Sequence, residues 1–160
     1  MIHTYEQALS LLWKEVDALP DMVLATSQEG RVTARRVNIA RVGGRLCFMT
    51  PRGSTKWRQI RHNPQVALCQ GNVLFTGTAR FHGHPDQEQD AAVLAALRRS
   101  FGPWYSHYVQ PESLVGMILP HEAAFYYEEG DATVTCRLDF LQHTFTEETD
   151  APETEGTHGL

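Results

Sequence analysis

The spacing of apolar residues predicts a helix at the start of the chain. Apolar side chains recur three and four residues apart between residues 8 and 19, which is the spacing of one helix face. Thr4 followed three residues later by Gln7 has the form of a capping box, and Pro20 ends the pattern. We therefore predict a first helix over about residues 5–18.

From residue 22 the pattern changes to β-type runs that are separated by turn residues. The runs are MVLATS (22–27), Val32 to Val42, LCFMT (46–50), VALCQ (66–70) and VLFTGTARFHG (73–83). Gly43-Gly44 and Gly71-Asn72 stand between consecutive runs and are typical of hairpin turns. Strands joined by tight turns pair antiparallel, because a parallel pair needs a long crossover.

The second half of the chain predicts one more clear helix and further strands. A helical pattern opens at Asp86 and ends at Gly102-Pro103, and WYSHYVQPES (104–113) follows as a loop or broken helix. Strand-like runs are LVGMIL (114–119), AAFYYEE (123–129) and ATVTCRLDFLQHTF (132–145), the last of which is either one strand or an interrupted one. The whole pattern predicts a mainly β, α+β fold: an antiparallel barrel of six or seven strands with about three helices flanking it.

Charge is distributed unevenly along the chain. The protein has 160 residues and a formal net charge of −5, but five acids and no Lys or Arg fall in residues 146–160. That segment has almost no apolar residues, so we predict one domain over residues 1–145 and a disordered acidic tail over residues 146–160. The rest of the chain is formally neutral, which gives no electrostatic basis for nucleic-acid binding.

Other patterns exclude further classes. No apolar run reaches membrane-spanning length, and the first residues lack the layout of a signal peptide. Cys47, Cys69 and Cys136 are an odd number of cysteines in apolar runs, which predicts buried free thiols in a cytoplasmic protein. The eight histidines follow no metal-binding spacing, so no metal site is predicted. No motif identifies a catalytic nucleophile or base.

The turn PRGSTK is the candidate for ligand chemistry. Pro51 ends a strand, Ser54 is a good helix N-cap, and a short helix is predicted over residues 55–62. Backbone N–H groups at the start of such a helix lack partners within it and form a phosphate-binding site, to which Lys56 adds a positive charge. The alternative is an ordinary cap with Lys56 in solvent.

The run LATSQEGRVTARRVNIARVGGRLCFMTPRGSTKWRQIRHNPQVAL is followed by VLFTGTARF and later by ILPHEAAFYYEEG. This order of strands around a Ser-x-Lys turn resembles the flavin-binding split barrels of the pyridoxamine 5′-phosphate oxidase-like superfamily. The match covers about residues 22–82. The chain is most similar to the general-stress-protein branch of that superfamily.

The resemblance implies FMN as the ligand of a split barrel. Arg35, Ser54 and Lys56 match positions that hold the FMN phosphate. The positions beside the isoalloxazine ring are Val37 and Asn38 on one strand and Phe48, Met49 and Thr50 on the opposing strand, and Asn72 matches a polar amide near the flavin in some relatives. The family forms homodimers with two flavins at the subunit interface, so the same assembly is implied here.

The chain departs from the true oxidase at the substrate side. Ala40 stands where the oxidase has a lysine that contacts the substrate phosphate, and the oxidase's terminal Arg-Leu-x-Pro-type segment is absent. The resemblance therefore implies an FMN-dependent oxidoreductase that uses NAD(P)H or a small-molecule substrate, and not a pyridoxamine 5′-phosphate oxidase. A non-catalytic flavin-binding or haem-binding sensor or carrier, and a deazaflavin-dependent reductase, are the alternatives.

Overall fold

Helix α1 (Tyr5–Asp17) confirms the first prediction. The structure is a computed structural model and describes residues 2–19 and 21–150. The Thr4 hydroxyl accepts the backbone N–H of Gln7 at 3.2 Å, as the capping pattern predicts. One face of α1, formed by Ala8, Leu12 and Val16, is buried against the sheet. Among the described residues, no helix has both the length and the apolar character needed to span a bilayer.

The described residues form nine strands and four α-helices. The strands are β1 (Asp21–Gln28), β2 (Arg31–Asn38), β3 (Ala40–Val42), β4 (Arg45–Pro51), β5 (Gln65–Gln70), β6 (Val73–Phe81), β7 (Ser113–Glu129), β8 (Ala132–Asp139) and β9 (Thr144–Asp150). The remaining helices are α2 (Thr55–His62), α3 (Ala91–Phe101) and the single turn α4 (Tyr105–Tyr108). Every strand pair is antiparallel, in the order β2-β1-β5-β6-β7-β4-β3, with β8 on β7 and β9 on β8. The predicted α+β class is confirmed.

The sequence pattern predicted fewer strands than the structure has. The predicted strand from Val32 to Val42 is two strands, β2 and β3, and the predicted last strand is the hairpin of β8 and β9. The runs at 114–119 and 123–129 are one continuous strand, β7, which is long enough to pair with β6, β4 and β8. Apolar alternation is interrupted at each of these places, but the neighbouring strand determines whether the strand ends there.

Three other expectations need correction. The helix predicted from Asp86 begins at Ala91 with Asp90 as its N-cap, after a 3-10 turn at Pro85–Gln87. Strand β9 continues the sheet to Asp150, so the sheet does not end at the predicted boundary of residue 146; residues 151–160 lie outside the described residues. Cys47 and Cys136 are buried free thiols as predicted, whereas Cys69 is a free thiol on the exposed face of β5.

The barrel has one core inside it and a second against its outer side. Helices α1 and α2 cover the inner core with Leu12 and Ile60, while α3 packs Val93 and Leu97 on the outer side of β3, β4 and β7. Gly116 of β7 lies directly opposite Phe48 of β4, and a Cβ atom at Gly116 would overlap the Phe48 ring. Phe48 has no exposed surface, so its ring fills the space that the glycine leaves.

The sheet does not close into a complete barrel. Its hydrogen-bonded path ends with β2 on one side and with β3 and β4 on the other. Strands β2 and β4 nevertheless lie within contact distance of each other without backbone pairing. This open seam between β2 and β4 is the split of the predicted split barrel.

Candidate functional site

The seam brings together the elements that carry most of the predicted site. Helix α2 follows β4 directly through a short turn, so its first residues lie at one end of the seam. On β2, Arg35 faces inward together with Val37, which is only 7% exposed. On β4, Thr50 also faces inward and is 2% exposed. Two edges of one sheet therefore present these residues to the same region.

Ser54 begins helix α2 as its N-cap. Its hydroxyl accepts the backbone N–H of Trp57 at 3.2 Å and lies 2.9 Å from the hydroxyl of Thr50, so the end of β4 and the start of α2 are tied together. Within the described residues, the backbone N–H groups of Thr55 and Lys56 have no acceptor. Free N–H groups at the positive end of a helix dipole form an anion-binding site.

A buried polar network holds Arg35 in place. Its guanidinium donates to the carbonyl oxygen of Leu24 at 3.1 Å, to the hydroxyl of Thr26 at 2.8 Å and to the hydroxyl of Thr33. Both hydroxyls donate in turn to the side-chain oxygen of Gln59, at 2.5 Å and 2.6 Å. Every acceptor of Arg35 is neutral, so its positive charge has no counter-charge in the network.

Sequence reasoning missed Gln59, Thr26 and Thr33 as supports of the site. Gln59 is 4% exposed and Thr26 is 2% exposed, which is rare for polar side chains that lack a specific partner. The available signal was that Thr26 continues the inward alternation of β1. A polar residue at an inward position predicts a buried hydrogen-bond partner, although it does not say which one.

Lys56 and Arg35 form a pair of positive charges without an acidic partner. Burial lowers the pKa of the Lys56 ammonium, and the nearby charge of Arg35 lowers it further. Burial also lowers the pKa of Arg35. Among the described residues neither side chain has a carboxylate within ion-pair distance, whereas the adjacent Arg36 pairs with Asp21. A bound anion would relieve both the burial cost and the mutual repulsion.

The predicted ring-side residues fall on two sides of the sheet. Val37 and Phe48 point into the core, and Phe48 is fully buried, so a ligand would reach only its backbone. Asn38 and Met49 point to the α3 side, where the Asn38 amide donates to the Ser100 carbonyl at 3.3 Å and the Ser100 hydroxyl donates back to the Asn38 side-chain oxygen. A flat ligand along the seam would border both sets at their edges.

Asn72 lies away from the other predicted residues. It sits in the β5–β6 turn, whereas α2 joins the opposite end of β5, and a strand of six residues is about 20 Å long. Its amide donates to the Tyr126 carbonyl at 2.7 Å, and both residues line a separate cleft of about 490 Å³. One chain therefore does not bring Asn72 to Lys56 and Arg35.

The chemistry of the donor set suits an anion such as a phosphate. Two cations, a hydroxyl and two free backbone N–H groups converge at the start of α2, and charge-assisted bonds of this kind are the strong ones. Among the described residues, no group of three or more His, Cys, Asp or Glu side chains is placed to hold a metal ion.

Comparison with known families gives one match across most of the chain. The model of the family described as pyridoxamine 5′-phosphate oxidase matches residues 13–125. That range contains β1 to β6, the seam, helix α2 and most of β7. A search of curated proteins gave no match.

Solved structures with the same fold cover between 72% and 95% of the chain. A pyridoxamine 5′-phosphate oxidase-related, FMN-binding protein from Nostoc punctiforme is 16% identical, with a TM-score of 0.59 and coverage of 95% of this chain and 100% of its own. PhzG from Burkholderia lata, in complex with tetrahydrophenazine-1-carboxylic acid, is 17% identical, with a TM-score of 0.61 and coverage of 95% and 98%. General Stress Protein 26 from Bacillus anthracis is 16% identical, with a TM-score of 0.55 and coverage of 72% and 91%. At these identities the likeness shows the fold.

Proposed function

The chain belongs to the pyridoxamine 5′-phosphate oxidase family, and from this premise we propose that it is an FMN-dependent oxidoreductase whose chemistry resides in the flavin. One observation carries the proposal: Lys56, at the start of α2, is partly buried within reach of the charge of Arg35 on β2, and neither cation has an acidic partner among the described residues. A terminal phosphate is the chemical group that this arrangement suits. FMN has such a phosphate, and riboflavin does not.

Each predicted residue has a distinct part in this proposal. Lys56, Arg35 and the α2 N–H groups bind the phosphate, and Ser54 fixes the start of the helix that presents them. Val37, Asn38, Met49 and the backbone of Phe48 and Thr50 border the ring along the seam. The bound flavin would supply electron and hydride transfer. The chain itself would bind it, orient it and exclude water from its inward side.

A second copy of the chain would complete the site. Asn72 lies too far from Lys56 to act in the same chain, so a shared site needs Asn72 from the partner. The outer face of the sheet offers a surface for such a partner, since Leu74, Leu119 and Tyr126 are 43%, 53% and 47% exposed there. Large apolar side chains that are exposed on one face of a sheet suit a subunit interface. Light scattering at micromolar concentration should give twice the 18.0 kDa chain mass.

The nature of the ligand is tested by two titrations. We expect purified protein to bind FMN with a yellow flavin spectrum, and apoprotein to bind FMN at least ten-fold more tightly than riboflavin, because charge-assisted bonds to a phosphate contribute about 1.5–3 kcal/mol. Equal affinity for the two ligands would remove the basis of the proposal. Haem or deazaflavin as the true ligand would appear at once in the absorption spectrum.

Reduction of the bound flavin separates an enzyme from a carrier. The PhzG structure, which holds a tetrahydrophenazine-1-carboxylic acid, supports a substrate-using role for this fold. We expect NADH or NADPH to bleach the flavin of the holoprotein in the absence of oxygen. A flavin that neither nucleotide reduces would favour the sensor or carrier role. The three free cysteines support a cytoplasmic location for either role.

A further inference from the structure

Tyr105 carries a buried hydroxyl without a hydrogen-bond partner. Within the described residues, it is the one buried side-chain nitrogen or oxygen atom for which the protein offers no donor or acceptor. Buried polar groups are almost always paired, because an unpaired one loses its bonds to water and gains none in return. A ligand that accepts a hydrogen bond would explain why this hydroxyl is kept inside.

Tyr105 lies near the part of the seam that borders the proposed flavin ring. Tyr105 begins helix α4 and packs against the same outer core as Met49, which borders the proposed flavin ring. One turn earlier in the chain, Ser100 is hydrogen-bonded to Asn38 on the other side of the seam. The junction of α3 and α4 therefore lies next to the proposed ring, at the end away from the phosphate group.

The surroundings of Tyr105 favour a flat, negatively charged ligand. The guanidinium of Arg98 lies 5.5 Å above the centre of the Tyr105 ring, and among the described residues Arg98 has no carboxylate partner. Trp104 and Tyr108, on either side in the chain, are 64% and 56% exposed and offer planar apolar surface. Rings of this kind bind other flat rings by offset stacking.

We propose that the Tyr105 hydroxyl and the Arg98 guanidinium receive the carboxylate of a planar aromatic acid, which binds beside the flavin as its substrate or ligand. The inference rests on the proposed function, since it places the acid next to a bound flavin. In this arrangement Tyr105 is a specificity-determining residue that donates its O–H to the carboxylate. The Arg98 charge offsets the charge of the acid, and Trp104 and Tyr108 border the aromatic part.

The first test compares two probes of the same shape. 2-Naphthoate carries the carboxylate and 2-naphthamide replaces it with a neutral amide. Holoprotein is titrated with each probe while tryptophan fluorescence and flavin absorbance are followed. We expect 2-naphthoate to bind at least ten-fold more tightly than 2-naphthamide. No binding of 2-naphthoate at millimolar concentration, or equal affinity for the two probes, would overturn the proposal.

Variants then identify the groups responsible. Tyr105→Phe removes only the hydroxyl and should weaken 2-naphthoate about ten-fold, which corresponds to about 1.4 kcal/mol. Arg98→Met keeps the aliphatic stem and should weaken 2-naphthoate but leave 2-naphthamide unchanged. Tyr5→Phe on α1 also removes only a hydroxyl, but far from the junction of α3 and α4, so it is the matched control and should bind both probes as the wild type does. Unchanged 2-naphthoate binding in Tyr105→Phe would show that the hydroxyl does not contribute to binding.

The outcome is separable from that of the proposed function. FMN affinity of Tyr105→Phe should equal that of the wild type, because the phosphate group lies at the other end of the seam. If the protein binds no FMN, the proposed function fails, while tryptophan fluorescence still reports 2-naphthoate binding and its dependence on Tyr105. If FMN binds and Tyr105→Phe changes neither probe, only the present inference fails.

Discussion

The two helices that cover the ends of the barrel core differ in how their positive charges are treated. At the α1 end, Arg41 donates to both carboxylate oxygens of Asp17, at 2.7 Å and 2.6 Å, and these bonds raise the pKa of Arg41. At the α2 end, burial and mutual repulsion lower the pKa of Lys56, and no carboxylate of the described residues pairs with it. Both helices bury apolar residues in the same core.

The difference is between a charge that is paired within the fold and two charges that we propose bind a ligand. A paired arginine such as Arg41 needs nothing further, and its contribution is complete in the isolated chain. The lowered pKa of Lys56 means that its charge is disfavoured in the isolated chain, and a bound anion would offset this cost. A partly buried lysine beside an arginine, with no acidic partner among the described residues, favours a binding role.

Replacing the lysine of the α2 end should have the largest effect. Lys56→Ala removes one charge-assisted bond, so FMN affinity should fall about ten- to hundred-fold, while the weaker riboflavin affinity should barely change. Lys14→Ala on the exposed side of α1 is the control and should leave both affinities unchanged. Fluorescence titration of apoprotein measures all four values. Parallel losses for FMN and riboflavin would indicate that Lys56 supports the fold instead of the phosphate.

Replacing Gln59 should reduce both the stability of the fold and the affinity for FMN. Gln59→Leu removes the acceptor of the Thr26 and Thr33 hydroxyls, so we expect the free energy of unfolding to fall by about 1–3 kcal/mol. Arg35 loses its fixed position through the same hydroxyls, which should also weaken FMN several-fold. Gln89→Leu, at an exposed position before α3, provides the comparison. Urea unfolding that is the same for both variants would contradict the network.

Breaking the pair at the α1 end should affect stability alone, and only slightly. Asp17→Asn leaves Arg41 without its partner, and since the two side chains are 26% and 50% exposed we expect a loss of about 0.5–1 kcal/mol. FMN affinity should stay at the wild-type value. A change in FMN affinity comparable with that of Lys56→Ala would erase the distinction between the two ends.

The smallest expected effect is a gain in the thermal stability of the apoprotein. Lys56→Met keeps the buried stem of the side chain but not its charge, so apoprotein of this variant should have a slightly higher Tm than the wild type at pH 7. Because the folded chain lowers the pKa of Lys56, the wild type carries this cost at pH values below the folded pKa, and the cost disappears as pH rises past the unfolded value of 10.5. The Tm difference should therefore shrink between pH 7 and pH 11. A Tm of Lys56→Met below that of the wild type at pH 7 would show that the charge stabilises apoprotein.

Local sequence signals predicted the parts of the site that are made locally. Ser54 caps α2 and Thr4 caps α1 because capping depends on a few neighbouring residues, and both were read correctly. The buried role of Gln59 could not be read, because its partners Thr26 and Thr33 come from strands that are distant in the sequence. Only the folded seam determines which polar side chains meet.

The position of Asn72 shows the same limit on a larger scale. Motif order placed it among the flavin residues, but a motif does not say which end of a strand faces which helix. The long strand β7 was divided in the prediction because Pro120 and His121 interrupt its apolar pattern, yet pairing with β6 continues past them through a bulge. Pairing partners decide such cases, and they are not local.

The side chain that position 116 on β7 can hold depends on the side chain at position 48 on β4. A side chain at position 116 needs the space of the Phe48 ring, and that ring has no exposed side toward which it could move. Neither position can change size alone without moving β4, the strand that leads to Ser54. In a library that randomises both positions, folded survivors should pair glycine at 116 with an aromatic residue at 48, or a larger residue at 116 with a small one at 48. The position of the PRGSTK turn at the end of β4 therefore depends on a glycine of another strand.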